Sequence, residues 1–127
     1  MNHVDLVALL AITQLVFFSV LVGRARGRYG IKAPAVSGHE GFERAYRVQM
    51  NTLELMVAFL PALFIAAKYW PQAWVAAVGA VYLLGRILYW RSYVTSPASR
   101  GPGFVLSMFP ILALVIGGLA GALRGGG

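Results

Sequence analysis

The 127-residue chain contains no cysteine and only two histidines. Without cysteine there is no disulfide framework, no thiolate metal site and no protein-borne thiol nucleophile, so any sulfur chemistry has to come from a ligand. His3 and His39 lie far apart in the sequence and neither belongs to a metal-ligand pattern, which gives a metal site no support. Charge is also scarce. Twelve per cent of residues are charged and only four are acidic, against roughly 25 per cent charged in an ordinary soluble domain. No phosphate-binding glycine loop, dinucleotide fingerprint or serine nucleophile elbow occurs.

What the chain has in abundance is apolar length. Fifty-nine per cent of its residues are apolar. They group into four stretches, approximately 4–22, 46–67, 73–94 and 104–123, each near the ~20 residues a helix needs to cross the hydrocarbon layer. The expected architecture is therefore an all-α integral membrane protein, a four-transmembrane-helix bundle forming one domain over residues 1–127. The first stretch lacks the signature of a cleaved signal: "MNHVDL" puts no Lys or Arg ahead of it, and "FFSVLVGRARGRYG" puts the basic cluster after it. A retained helix is expected. The end, "GGLAGALRGGG", reads as a frayed fourth helix plus a flexible tail, with Gly117, Gly118 and Gly121 as the alternative, points of close helix contact. Pro61 and Pro110 fall inside spans, where a proline either kinks the helix or is accommodated by its neighbours.

Positive charge is uneven. Arg24, Arg26, Arg28, Lys32 and Arg44 lie in or near the first connection and Arg91 and Arg100 in or near the third, whereas the second offers only Lys68. The positive-inside rule then places the first and third connections in the cytoplasm and both termini opposite. The formal charge of +7 is assigned to anionic headgroups and an anionic ligand rather than to nucleic acid, for which no soluble binding module is present. The brevity of the chain and the lack of sorting segments favour a bacterial inner membrane.

Polar residues inside apolar spans are the candidate site. On the second helix, Arg47, Asn51 and Glu54 fall within an arc of roughly 60°, with about 10 Å between the first and last. On the third, Tyr82, Arg86, Tyr89 and Tyr93 recur at spacings of four, three and four, another arc of roughly 60°. Such faces are either interhelical glue, with Glu54 paired to Arg47 or a neighbouring helix, or the walls of a site for a zwitterionic ligand. Cations for carboxylates, a carboxylate for an ammonium group, and amide and phenol groups for neutral hydrogen bonds together fit glutathione. A cation such as Arg100, in "TSPASRGPG", would stabilise its thiolate. Two other readings stay open: a small proton-coupled multidrug transporter using Glu54, and a non-catalytic membrane scaffold.

"FERAYRVQMNTLE" followed by "VYLLGRILYWRSYVTSPASR" resembles the MAPEG family, the membrane-associated proteins of eicosanoid and glutathione metabolism. The resemblance implies a homotrimer binding glutathione between neighbouring subunits near the cytoplasmic boundary. It assigns glutathione contacts to Arg47, Asn51, Glu54, Tyr89 and Tyr93, and thiolate activation to Arg100. Arg26 and Gln49 are further contact positions, Gln49 pointing into the adjacent subunit's site. Leu55 follows Glu54 where the leukotriene-forming branch has tyrosine; Gly101 follows Arg100 where the prostaglandin-forming branch has serine, and Gln49 stands where that branch has histidine. Those specialised reactions are therefore not expected. The implied activity is a broad glutathione transferase, with peroxidase activity considered beside it. Glutathione is the co-substrate, no metal is needed, and a lipophilic electrophile arrives from the bilayer.

Overall fold

The first helix does not stop where its apolar residues stop. The computed structural model describes residues 1–125 and contains α1 (His3–Tyr29), α2 (Glu40–Tyr69), α3 (Gln72–Thr95) and α4 (Gly101–Leu123), with a 3₁₀ turn, Pro97–Ser99, before α4. Hydropathy locates the part of a helix that lies in hydrocarbon, but backbone hydrogen bonding continues until a cap ends it. For α1 that stop is Gly30, whose left-handed conformation (φ 69°) turns the chain so that the Ile31 N–H also reaches the Arg26 carbonyl, at 3.1 Å. Helix α2 begins six residues before the expected span, at Glu40 rather than Tyr46, because the His39 ring nitrogen accepts the Gly41 N–H at 2.9 Å. Glu40 and Glu43 then sit at the positive end of the helix dipole.

Helices of 23 to 30 residues are roughly 35–45 Å long, more than the ~30 Å of hydrocarbon. Their ends therefore extend past the apolar layer. All four are long and apolar enough to cross a membrane. Helices α2 and α4 each continue as one helix through Pro61 and Pro110. The glycine-rich end is helical to Leu123 rather than frayed: the Gly117 carbonyl accepts the Trp70 indole N–H at 2.8 Å, and Gly121 packs directly on Tyr69. The expected flexible tail falls partly on residues 126 and 127, which lie outside the described residues.

The centre is filled by Val4, Val7 and Ala11 of α1, Phe59 and Leu63 of α2, Val75 of α3, and Ile111 and Leu114 of α4. Outward-facing positions such as Leu9, Val57, Leu84, Phe109 and Ile116 are apolar and exposed, as a bilayer-facing surface requires. Two glycines bring α3 and α4 into backbone contact. A Cβ on Gly103 would lie 2.5 Å from the Tyr89 Cα, and one on Gly85 would lie 2.6 Å from the Ser107 nitrogen. That contact fixes the height of the third helix's tyrosines against the start of α4.

Candidate functional site

Arg86 occupies the middle of the polar seam and is completely buried. Its Nε donates to Ser107 Oγ at 2.9 Å, and its Nη1 donates to Asn51 Oδ1 at 2.8 Å and Thr52 Oγ1 at 3.1 Å. The Ser107 hydroxyl in turn donates to the Gly103 carbonyl at 2.7 Å, which leaves its lone pairs for the guanidinium. The charge lies 4.4 Å from the Tyr89 ring centre and 6.0 Å from that of Tyr82. A buried cation is costly unless acceptors surround it. Here neutral oxygens and π faces take that role instead of a carboxylate. Among the described residues the one ion pair is Arg44 with Glu40, within the first turns of α2. Arg86 Nη2 and the Tyr82 hydroxyl are buried without a hydrogen-bond partner among the described residues.

Outward from this knot, the seam opens. Arg47 and Asn51 of α2, Tyr89 and Tyr93 of α3, and Arg100 and Phe104 at the start of α4 line a cavity of about 530 Å³. The Tyr89 and Tyr93 rings stack 5.5 Å apart. Arg100 is exposed, directly precedes α4, and donates from Nη1 to the Pro97 carbonyl at 2.9 Å. The cavity therefore presents two cations, an amide and two phenols, and its lining contains no acidic residue. A larger groove of about 670 Å³ between α1 and α3 is lined by no charged residue and is apolar apart from Thr13 and Gln14.

The two sequence readings of these faces thus apply at different depths. Arg86 with Asn51, Thr52 and Ser107 is interhelical glue, whereas Arg47, Tyr93 and Arg100 border open volume. Three expected contact residues stand outside this cavity in the single chain. Glu54 is exposed further along α2, paired neither with Arg47 nor with another cation among the described residues. Gln49, about 200° round the helix from Arg47, donates its amide to Ser19 Oγ of α1 at 3.0 Å. Arg26 pins the first connection: its Nη1 donates to the Ala35 carbonyl at 2.8 Å, and its guanidinium lies 4.8 Å from the Phe42 ring centre.

Thr52, Ser107 and Phe104 were not anticipated. Phe104 lies one turn beyond Arg100, a spacing that places it on the same face. Thr52 follows Asn51 directly but gives no periodic signal. Ser107 is a lone hydroxyl in an apolar run, and such a residue commonly satisfies itself on its own helix, so its sequence setting does not point to Arg86.

Residues 4–120 match the MAPEG family. The chain is 43% identical over 118 residues to an uncharacterized protein of Synechocystis sp., covering 93% of this chain and 86% of that protein. It is 39% identical over 117 residues to microsomal glutathione S-transferase 2 of Homo sapiens, covering 92% and 78%. It is 36% identical over 94 residues to leukotriene C4 synthase of Cavia porcellus, covering 74% and 63%. The bundle is an integral, multi-pass membrane protein, and the chain belongs to the MAPEG family.

Proposed function

We propose that this protein is a membrane-embedded glutathione transferase that joins the glutathione thiolate to lipophilic electrophiles. The observation that carries the reading is the meeting of Arg47 and Asn51 of α2, Tyr89 and Tyr93 of α3, and Arg100 at the N-cap of α4 around one cavity. The relatives named as glutathione S-transferase and leukotriene C4 synthase support it. Arg47 takes a carboxylate, Asn51 and the tyrosines hydrogen-bond the tripeptide, and Arg100 faces the sulfur. A thiolate at that position meets both a guanidinium and the positive end of α4, two influences that lower a thiol pKa. The proton leaves to solvent, the sulfur lone pair forms the new carbon–sulfur bond, and the electrophile's leaving group departs or its π bond takes up the electron pair. An apolar substrate concentrated in the bilayer meets a thiol fixed at its edge, which reduces the entropic cost of the encounter. No metal is required.

The working assembly is a homotrimer, in which Glu54, Gln49 and Arg26 complete the glutathione site across subunit boundaries. Glu54 supports this because an unpaired carboxylate on an outward helix face in a membrane needs a partner from elsewhere. Arg24, Arg28, Lys32, Arg44, Arg91 and Arg100 belong to one end of the bundle, which is the cytoplasmic side of a bacterial inner membrane. Peroxidase activity is a second activity of the site: the thiolate sulfur attacks the outer oxygen of a hydroperoxide, the O–O bond breaks and the alcohol leaves, and a second glutathione converts the sulfenic acid so formed to glutathione disulfide and water. Calorimetric titration of the detergent-solubilised oligomer with glutathione tests the core of the reading. Saturable binding that Arg47→Ala weakens at least tenfold is expected, and an intact oligomer that takes up no glutathione refutes it.

A further inference from the structure

An arginine has five N–H donors and no acceptor. The atom of Asn51 that meets Arg86 Nη1 at 2.8 Å must therefore be the amide oxygen, whichever way the amide would turn in isolation. Asn51 also lines the cavity. That bond turns the amide oxygen toward Arg86 and, because the amide is planar, the NH₂ group to the opposite side. We infer that Arg86 is a positioning residue: buried behind the cavity, it locks Asn51 with its amide donors toward the ligand and makes this part of the wall donor-only. This deepens the proposed function and rests on it, because it specifies what glutathione must present at Asn51, an acceptor oxygen.

The lock is stiff because Arg86 is itself held. Ser107 fixes Nε from α4, Thr52 fixes Nη1 from α2, and the Tyr89 ring covers the guanidinium at 4.4 Å. Among the side chains that line the cavity, those of Arg47, Asn51, Tyr89, Tyr93, Arg100 and Phe104, the Asn51 oxygen is the one group that can only accept, and its bond to Arg86 turns it inward. A ligand bearing carboxylates and peptide carbonyls is matched. One that must donate at Asn51 leaves two N–H groups facing each other.

The discriminating variant is Asn51→Asp. If Asn51 only ties helices together, aspartate keeps the bond to Arg86, adds a counter-ion to the buried guanidinium and leaves glutathione affinity unaltered. If Arg86 fixes the amide's orientation, aspartate still faces Arg86 with one oxygen but turns an acceptor where a donor was. Affinity measured by calorimetry then falls roughly tenfold to a hundredfold, the scale of a lost hydrogen bond to a charged group, while the thermal midpoint holds or rises.

A double-mutant cycle isolates the positioning role. Arg86→Lys, which cannot reproduce the planar fork, should lower affinity about tenfold in the wild type and less than twofold further in an Asn51→Ala background, because a residue acting through another couples to it. Additive losses, or an Asn51→Asp protein that binds as tightly as wild type, overturn the inference. Wild-type protein that binds no glutathione overturns the proposed function instead. Should the variants fail to assemble, a structure of the wild type with S-methylglutathione decides: a ligand oxygen within hydrogen-bond distance of Asn51 Nδ2 supports the assignment, and Oδ1 turned to the ligand refutes it.

Discussion

Replacing Gly103 by alanine tests whether the α3–α4 contact sets the site. The added Cβ would stand 2.5 Å from the Tyr89 Cα and nitrogen, both backbone atoms that no rotamer change can move aside. Relieving the clash from 2.5 Å to 3.4 Å, where ordinary contact begins, requires the two helices to part by 0.9 Å. Overpacking of this kind costs about 1–3 kcal/mol. The displacement would also carry Tyr89 and Tyr93 away from Arg100, at the N-cap of α4, and Phe104, in its first turn, which lie across the cavity. A misplacement of about 1 Å in a reacting constellation can reduce rate by two orders of magnitude. The assay is conjugation of glutathione to a lipophilic electrophile in proteoliposomes, together with the thermal midpoint in detergent. The control is Gly101→Ala, two residues away in the same helix, where an added Cβ meets nothing within 4 Å. Gly103→Ala should lose tenfold to a hundredfold in kcat/KM and several degrees of thermal midpoint, while Gly101→Ala loses neither. Wild-type behaviour of Gly103→Ala would show that this contact does not set the site.

Arg100→Ala should reduce the rate of conjugation much more than glutathione affinity, and the alkaline rise of the rate should move to higher pH, because a cation that favours the charged thiolate has gone; an unaltered pH profile removes the activating role. Glu54→Gln should chiefly weaken glutathione binding with the rate at saturation preserved, as expected for the partner of an ammonium group, and a loss confined to the rate at saturation would contradict it. Ser107→Ala leaves the buried Arg86 Nε without its acceptor and should cost about 2 kcal/mol, read as a lower thermal midpoint; an unchanged midpoint would mean that Arg86 finds another partner at no cost.

The fold was largely legible because a bilayer imposes one strong rule: a helix must present apolar residues over its thickness, and four such stretches were plain. Helix ends were less so. Hydropathy does not detect the Gly30 stop or the His39 cap, which carry α1 and α2 beyond their apolar segments. The two polar faces were also legible, since periodicity places Arg47 with Asn51 and Tyr89 with Tyr93. Depth along a face was not. Arg86 belongs to the same stripe as Tyr93, yet one is wholly buried and the other borders a cavity. That difference depends on the hydroxyls of Thr52 and Ser107, whose sequence settings carry no distinguishing pattern. Glu54 illustrates another limit: its stripe predicts a shared site with Arg47, but one chain leaves it exposed and unpaired, and its partner depends on what lies across that surface.

In the proposed function the cavity holds glutathione with its sulfur beside Arg100. Difference absorption spectroscopy in the ultraviolet reads this directly, because a bound thiolate absorbs where the neutral thiol does not. Titrating the detergent-solubilised oligomer with glutathione near neutral pH should produce a saturable thiolate band in the wild type and release protons to the medium, with the band absent in Arg100→Ala. Glutathione that binds without ionising, or a band that survives loss of Arg100, would contradict the account.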